Sequence, residues 1–487
     1  MMKTMQYIRF FSYLILFTLI FGSCAQNPVT GKKEFMLMTE EQEISLGAEA
    51  DPDIVKQYGV YNHPVLQKFV EDNGRRMAAL SHRPGLNYQF RILDSPVVNA
   101  FALPGGYVYF TRGILAHFNN EAEFAGVLGH ELGHITARHS AKQYSKQVIT
   151  ELLILGGMMV SEEFRRFSDV AQQGAGLLFL KFSRDNETES DELGVSYSTK
   201  AGYDAREMAG FFKTLEKLGA ESGSIPTFLS THPDPGDRFT KVGKLADQAR
   251  LESGNQDLKV NRNDYLSIIN GVVYGDDPKQ GFVDDGVFYH PVMRFRFDIP
   301  KGWNVQNMPS QVQLAPANGK AMLAMSMAEG KSLEAARDKA VADNKLTVIQ
   351  SSETTVHGLR ALRVLSEIPA ESSQSTSLKV LTYFIALDES IFKFHGLSSL
   401  TDFSSFESEM AASMTSFMRL TDPSKLNRQP MTIRIVEARE SASLQKVLEK
   451  YQMPEKRWKE LVLLNGLELS DMVEKGTSVK ILGGQFN

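Results

Sequence analysis

The chain has 487 residues, about three times a typical domain of ~150, so it divides into several domains. Hydrophobic residues make up 42% and charged residues 23%, which excludes a mainly disordered, collagenous or multi-span membrane chain. The 53 basic and 58 acidic residues leave a net charge of −5, which gives no ground for a nucleic-acid partner. A single cysteine excludes an internal disulfide and a Cys-rich zinc site, so any metal is left to histidines and carboxylates.

That cysteine, Cys24, follows a segment of secretory type. Lys3 and Arg9 make a basic start, Phe10 to Phe21 are almost wholly apolar, and Gly22 and Ser23 are small. Twelve apolar residues fall short of the ~20 that span a bilayer. Small residues directly before a lone cysteine resemble a bacterial lipobox, with Phe21 where an aliphatic residue is usual. The expectation is a signal peptide over 1–23, lipidation of Cys24 and attachment to a membrane through the lipid. An uncleaved N-terminal anchor is the alternative; both put the remaining chain outside the cytoplasm. Ala25 is not the aspartate that commonly holds lipoproteins at the inner membrane, so a periplasm-facing position at the outer membrane is expected.

The first dense block covers 24–250. Thr39-Glu40-Glu41-Gln42 is a capping-box pattern and predicts a helix to about Lys56. A second helix fits 63–80. Tyr88 to Leu93 alternates as a strand, and Val97 to Phe101 with Tyr107 to Phe110, separated by Pro104-Gly105-Gly106, reads as a hairpin. The pattern is helical from about Glu121 to Leu180, and further helices fit 186–200, 205–218 and 236–250. The apolar runs Val148–Val160 and Gly176–Phe182 read as a buried helical hairpin of this block, with a cover over a functional site or a membrane contact as the alternatives. Residues 251–290 read as a connector. The block 291–420 alternates between short strands and two helical stretches, 332–344 and 403–418, which makes it an α+β domain. Its opening, Phe295 to Trp303, resembles the PsbP/Mog1-like fold. Thr421 to Pro430 is a linker, and 431–487 reads strand, helix, helix, strand, a layout that resembles a LysM module, with Arg439-Glu440-Ser441 in place of its usual Gly-Asp-Thr opening. The fold class is thus multi-domain α+β, with a mainly helical first domain carrying a small sheet.

His130-Glu131-Leu132-Gly133-His134 carries the chemistry. At 3.6 residues per turn the two imidazoles lie about 40° apart on one helix face, one turn apart, and can bind one zinc ion. Glu131 is displaced around the helix, where it can take a proton from water activated by the metal as that water attacks a peptide carbonyl. Gly129 and Gly133 each cost up to ~1 kcal/mol against alanine on an ordinary helix, and close packing near a site explains them better.

Zinc needs a further protein ligand. The metzincin arrangement fails, because Ala137 and Ser140 stand where glycine and histidine would be required. His139 is nine residues from His130, about 180° round a continuous helix, and so is expected to face away on the polar side. The remaining source is a carboxylate from Ser183-Arg184-Asp185-Asn186-Glu187-Thr188-Glu189-Ser190-Asp191. Glu187 and Asp191 share a helix face, so one can bind the metal while the other holds a ligand histidine.

These two motifs, about fifty residues apart, resemble the M48 family of zinc metallopeptidases. So do Asn27 to Gly31, Asn99-Ala100-Phe101-Ala102 with Pro104 to Gly106, Tyr109 to Gly113, and Thr231-His232-Pro233 with Arg238. The resemblance is to bacterial secreted lipoprotein members. It implies a gluzincin-type domain with one Zn2+ per chain, Glu187 as third ligand and Asp191 as its supporting acid, with Ser190 where alanine is usual. It also implies that His232 lies near the metal, as a fourth ligand or an oxyanion donor, and that Asn99, Ala100 and Phe101 bind an extended substrate by strand addition. The function expected is a zinc endopeptidase with Glu131 as general base, acting on unfolded or misassembled envelope proteins. The competing reading is an envelope scaffold in which 291–487, through a peptidoglycan contact, is the working part and the protease domain is latent or regulated. An intact Glu131 favours the enzyme, because a silent domain has no chemical need of it.

Overall fold

The computed structural model describes residues 24–154, 182–222, 226–233, 237–255, 257–370 and 377–484. The expected signal segment and most of the apolar hairpin of 148–182 lie outside these residues. The chain is multi-domain, with helices and several sheets. It divides into two units: one is formed by the residues up to Val55, Gly59–Tyr274 and Thr432–Gly483, the other by Lys56–Tyr58, Gly275–Met431 and the residues from Gly484.

The first unit opens with two short antiparallel strands, β1 (Cys24–Gln26) and β2 (Lys33–Phe35), in which Cys24 pairs with Phe35. Helix α1 (Glu40–Tyr58) starts on the capping box: Thr39 accepts from the Gln42 backbone, and the Gln42 side chain accepts from the Thr39 backbone. Helix α2 (Pro64–Ala79) follows, then a three-stranded sheet of β3 (Gln89–Leu93), β4 (Ala100–Leu103) and β5 (Tyr107–Thr111). The strand order is β3-β5-β4, which leaves β4 at an edge, and β4 and β5 form the antiparallel hairpin about Pro104-Gly105-Gly106. Both of these glycines have positive φ, which the tight turn requires.

The short helix α3 (Arg112–His117) leads to α4 (Glu121–Thr136), which is buried on every side. Arg138, with φ of 56°, breaks the helical run, and α5 (His139–Ile154) starts in a new direction. Helices α6 (Arg184–Lys200), α7 (Arg206–Ser222), α8 (Thr227–Thr231) and α9 (Arg238–Ser253) complete the helical layer. Glycines bring α4 and α6 together. A Cβ on Gly129 would lie 2.8 Å from the carbonyl oxygen of Gly194, and one on Gly133 would lie 3.1 Å from Ser190 Cα. A larger residue at Gly129 would force the two helices apart, which accounts for glycine at a helix position that otherwise disfavours it.

Two stretches differ from the sequence expectation. Residues 262–269, expected in a connector, form helix α10 (Arg262–Ile269), whose Tyr265, Leu266 and Ile269 are buried and whose Tyr265 hydroxyl donates to the Leu115 carbonyl at 2.6 Å. The terminal residues 432–483 group with the first unit rather than apart from it. Lys480 makes one of the links at the level of single atoms. It is fully buried, and its ammonium faces the carbonyls of Ala116 at 3.0 Å, His117 at 3.3 Å, Phe118 at 2.6 Å and Leu464 at 2.9 Å. Three of these carbonyls close the C-terminal end of α3, where the helix leaves acceptors unsatisfied and carries partial negative charge. A charge buried so deep is invisible to periodicity, which scores lysine as solvent-facing.

The second unit is built on a seven-stranded antiparallel sheet in the order 347–356, 359–368, 378–387, 390–399, 321–327, 311–316, 303–308. Alternation sets its two faces. Leu381, Tyr383 and Ile385 join Phe295, Phe297 and the helix Phe403–Thr415 in one core. Phe384 joins the helix Leu333–Asp343 in another.

Candidate active site

Four buried side chains of the first unit converge: His130 and His134 of α4, Glu187 of α6 and His232 just after α8. One donor atom from each lies within 4.8 Å of the others. The Nε2 atoms of His130 and His134 are 3.0 Å apart, as the i, i+4 spacing requires. Glu187 stands in the first turn of α6, which Ser183 opens with a capping box to Asn186. The positive end of the helix dipole favours a carboxylate there. Its two oxygens lie 3.5 Å from His130 Nε2 and 3.5 Å from His134 Nε2. Beneath His232, Phe228 stacks with ring centroids 4.5 Å apart, and the Phe228 amide donates to the Val98 carbonyl at 3.3 Å, which ties α8 to the chain entering β4. His232 Nδ1 lies 3.3 Å from His130 Nε2 and 3.4 Å from Glu187, and its Nε2 lies 3.5 Å from a Glu131 oxygen.

Supporting contacts orient this group. Asp191 Oδ1 accepts from His130 Nδ1 at 2.9 Å. Arg238, the first residue of α9, is 1% exposed, and its guanidinium lies over the Phe212 ring at 4.0 Å. It donates to both oxygens of Asp191 and lies 3.6 Å from Glu187. Sequence reading placed Arg238 only in a shared segment. Nothing local marks its role, because the partners are 47 and 51 residues away.

Burial disfavours charge throughout the site, and neighbours decide the outcome. It raises the pKa of Glu131, although His232 and His130 oppose it. It takes His134 well below the usual histidine range, against the pull of Glu187. For His130, burial is outweighed by the carboxylates of Asp191 and Glu187, which hold it up to about 9. For Glu187, burial is outweighed by His232 and His130, and the carboxyl stays well below the ordinary value. Both carboxylate oxygens of Glu131, both of Glu187, and His232 Nε2 have no hydrogen-bond partner. Five orphaned buried polar atoms beside three imidazoles are costly without a counter-charge. A bound divalent cation supplies one, and two or three nitrogens with a carboxylate are a donor set that zinc accepts.

The structure corrects one expectation. His139 does not face away on a polar side; it is fully buried, and its Nδ1 is 2.9 Å from His134 Nδ1. The positive φ of Arg138 ends α4 before His139, so the helical angle counted from His130 no longer applies. Elsewhere the expected residues fall as follows. Asn99 directly precedes the edge strand that holds Ala100 and Phe101, its backbone is bonded to Thr111, and its side-chain oxygen is buried without a partner. Cys24 lies in β1.

A glutamate-bearing helix with two inward histidines, a carboxylate from a second helix and a further histidine form a donor group suited to a metal ion. Residues 64–246 match the sequence profile of peptidase family M48. That match covers the helical domain that carries the four-donor group. The chain is 34% identical to the mitochondrial metalloendopeptidase OMA1 of Arabidopsis thaliana over 215 residues, 44% of this chain and 42% of that one. With a putative beta-barrel assembly-enhancing protease of Vibrio cholerae it shares 30% identity over 229 residues, 45% and 47% of the two chains. It thus spans less than half the length of these relatives. The solved structure of cyanobacterial PsbP from Synechocystis covers 27% of this chain and 91% of its own at 12% identity, with a TM-score of 0.24, too low to decide the fold of the second unit.

Proposed function

We propose that the chain is a zinc-dependent endopeptidase that hydrolyses extended segments of unfolded or misassembled proteins in the cell envelope. The observation that carries the reading is the position of Glu131, buried and unpartnered, one residue from a ligand histidine and beside the four-donor group. His130, His134 and Glu187 would hold zinc, which when bound would supply Lewis acidity toward a peptide carbonyl and water. Glu131 accepts the proton of the attacking water and returns it to the departing amine; its raised pKa suits both steps. Asp191, held by Arg238, keeps the His130 proton on Nδ1 and leaves Nε2 free for the metal. His232 stands in front of Glu131 as a fourth donor, so the resting site is latched until it withdraws.

The edge strand β4 supports an extended substrate, paired through backbone hydrogen bonds, with Asn99, Ala100 and Phe101 at the contact. Such pairing reads backbone rather than side chains and suits unfolded protein. Among the described residues no helix is long and apolar enough to cross a membrane. Lipidated Cys24 accounts for membrane attachment, on the periplasmic side of the outer membrane. The relatives named beta-barrel assembly-enhancing protease support an envelope substrate.

The test is cleavage of an unfolded protein by the purified chain. Activity that disappears on chelation, returns with zinc and is lost by about a hundredfold or more in Glu131→Gln supports the reading. Equal cleavage by that variant refutes the assignment of Glu131. Inactivity of the intact chain under all conditions favours the scaffold.

A further inference from the structure

Beside His134 lies a second histidine–carboxylate pair. His139 is fully buried at the start of α5. Its Nδ1 faces His134 Nδ1 at 2.9 Å, and its Nε2 faces Glu189 Oε2 at 3.1 Å. The hydroxyl of Ser190 lies 3.3 Å from His139 Nδ1. On the outside, Lys142 lies 3.7 Å from Glu189 and 2.9 Å from Glu34 of β2. Phe182 stacks on the His134 ring at 4.1 Å and 22°.

The protons in this chain of contacts follow from the role of His134. Its Nε2 points into the donor group, so its lone pair belongs there and its proton on Nδ1. His134 Nδ1 then donates, and His139 Nδ1 accepts. A neutral His139 carries its own proton on Nε2, where the Glu189 carboxylate accepts it. The reverse order would put a proton on His134 Nε2, facing the cation. Only one order is compatible with metal, and Glu189 selects it.

We propose that His139 and Glu189 are positioning residues for His134, fixing its tautomer and ring orientation as Asp191 and Arg238 do for His130. The proposal rests on the metal-site reading above. One ring nitrogen of His139 meets His134 itself and the other a carboxylate, and the Phe182 stack fixes the plane in which the His134 proton must point. Lys142, itself paired with Glu34, faces the Glu189 carboxylate from the solvent side.

The experiment is zinc affinity of the full chain, measured by competition with a chromophoric chelator. His139→Phe, which keeps the ring and removes both nitrogens, is expected to weaken zinc binding by about 10- to 100-fold. Glu189→Ala, at a partly exposed position that tolerates truncation, is expected to weaken it by about tenfold. His139→Asn restores an acceptor for His134 Nδ1–H and is expected to recover most of the loss. Wild-type affinity in both His139→Phe and Glu189→Ala, with zinc lost in His134→Ala, overturns the proposal and leaves the metal site standing. An asparagine variant as weak as the phenylalanine one also overturns it, because packing alone would then explain the loss. An unaltered chain that binds no zinc, or a His134→Ala variant that binds it equally well, overturns the metal site and this proposal together.

Discussion

Arg238 holds Asp191 through two hydrogen bonds, Nε to Oδ2 at 2.8 Å and Nη2 to Oδ1 at 2.6 Å, and the same Oδ1 accepts from His130. The fork fixes the carboxylate plane and, through it, the ligand imidazole. Arg238→Lys keeps the charge and removes the fork. Zinc affinity should fall by about tenfold or more in Arg238→Lys and in Asp191→Asn, with little further loss in the double variant. Fully additive losses in a chelator titration would mean that the two residues act separately.

His232 places Nε2 3.5 Å from Glu131 and Nδ1 against His130 and Glu187. His232→Ala leaves His130, His134 and Glu187 to hold zinc. Hydrolysis of unfolded protein should then rise by about tenfold, a change of ~1.4 kcal/mol in barrier. Unchanged rates would sink the latch.

Lys480 joins residues far apart in the chain, and its loss should be felt in stability rather than in chemistry. Lys480→Met keeps most of the volume and removes the donor that faces four carbonyls. A cost of about 3 kcal/mol or more is expected in urea unfolding of the first unit. A loss under ~1 kcal/mol would show that water replaces the ammonium.

Acid should destabilise the same region through His117. Its burial lowers the pKa to about 4, against an ordinary value of 6.5, while its Nδ1 lies 2.7 Å from the Gly113 carbonyl. The folded state resists a proton that the unfolded chain accepts, so the contribution is complete above pH ~6.5 and is lost as pH falls towards 4. The loss amounts to about 3 kcal/mol. His117→Asn should flatten that part of the stability profile; an identical slope in both chains would assign the acid sensitivity elsewhere.

The sequence by itself determined what short-range geometry controls. Four residues of helix bring His130 and His134 together, Thr39 and Gln42 cap α1 across three, and Pro104-Gly105-Gly106 turns β4 into β5. Gly129 and Gly133 signalled close packing, although not which helix would approach. Tertiary structure decided everything that depends on a change of direction or a distant partner. One positive φ at Arg138 moved His139 from an outer face to the second ligand. Arg238 found Asp191 across 47 residues, and Lys480 found Phe118 across 362. Hydrophobic periodicity scores each residue against its neighbours in the chain, whereas a buried polar group is stabilised by partners that only folding brings within about 3 Å, so the donor residues and Asp191 could be named from the sequence, while the partners of Arg238, His139 and Lys480 could not.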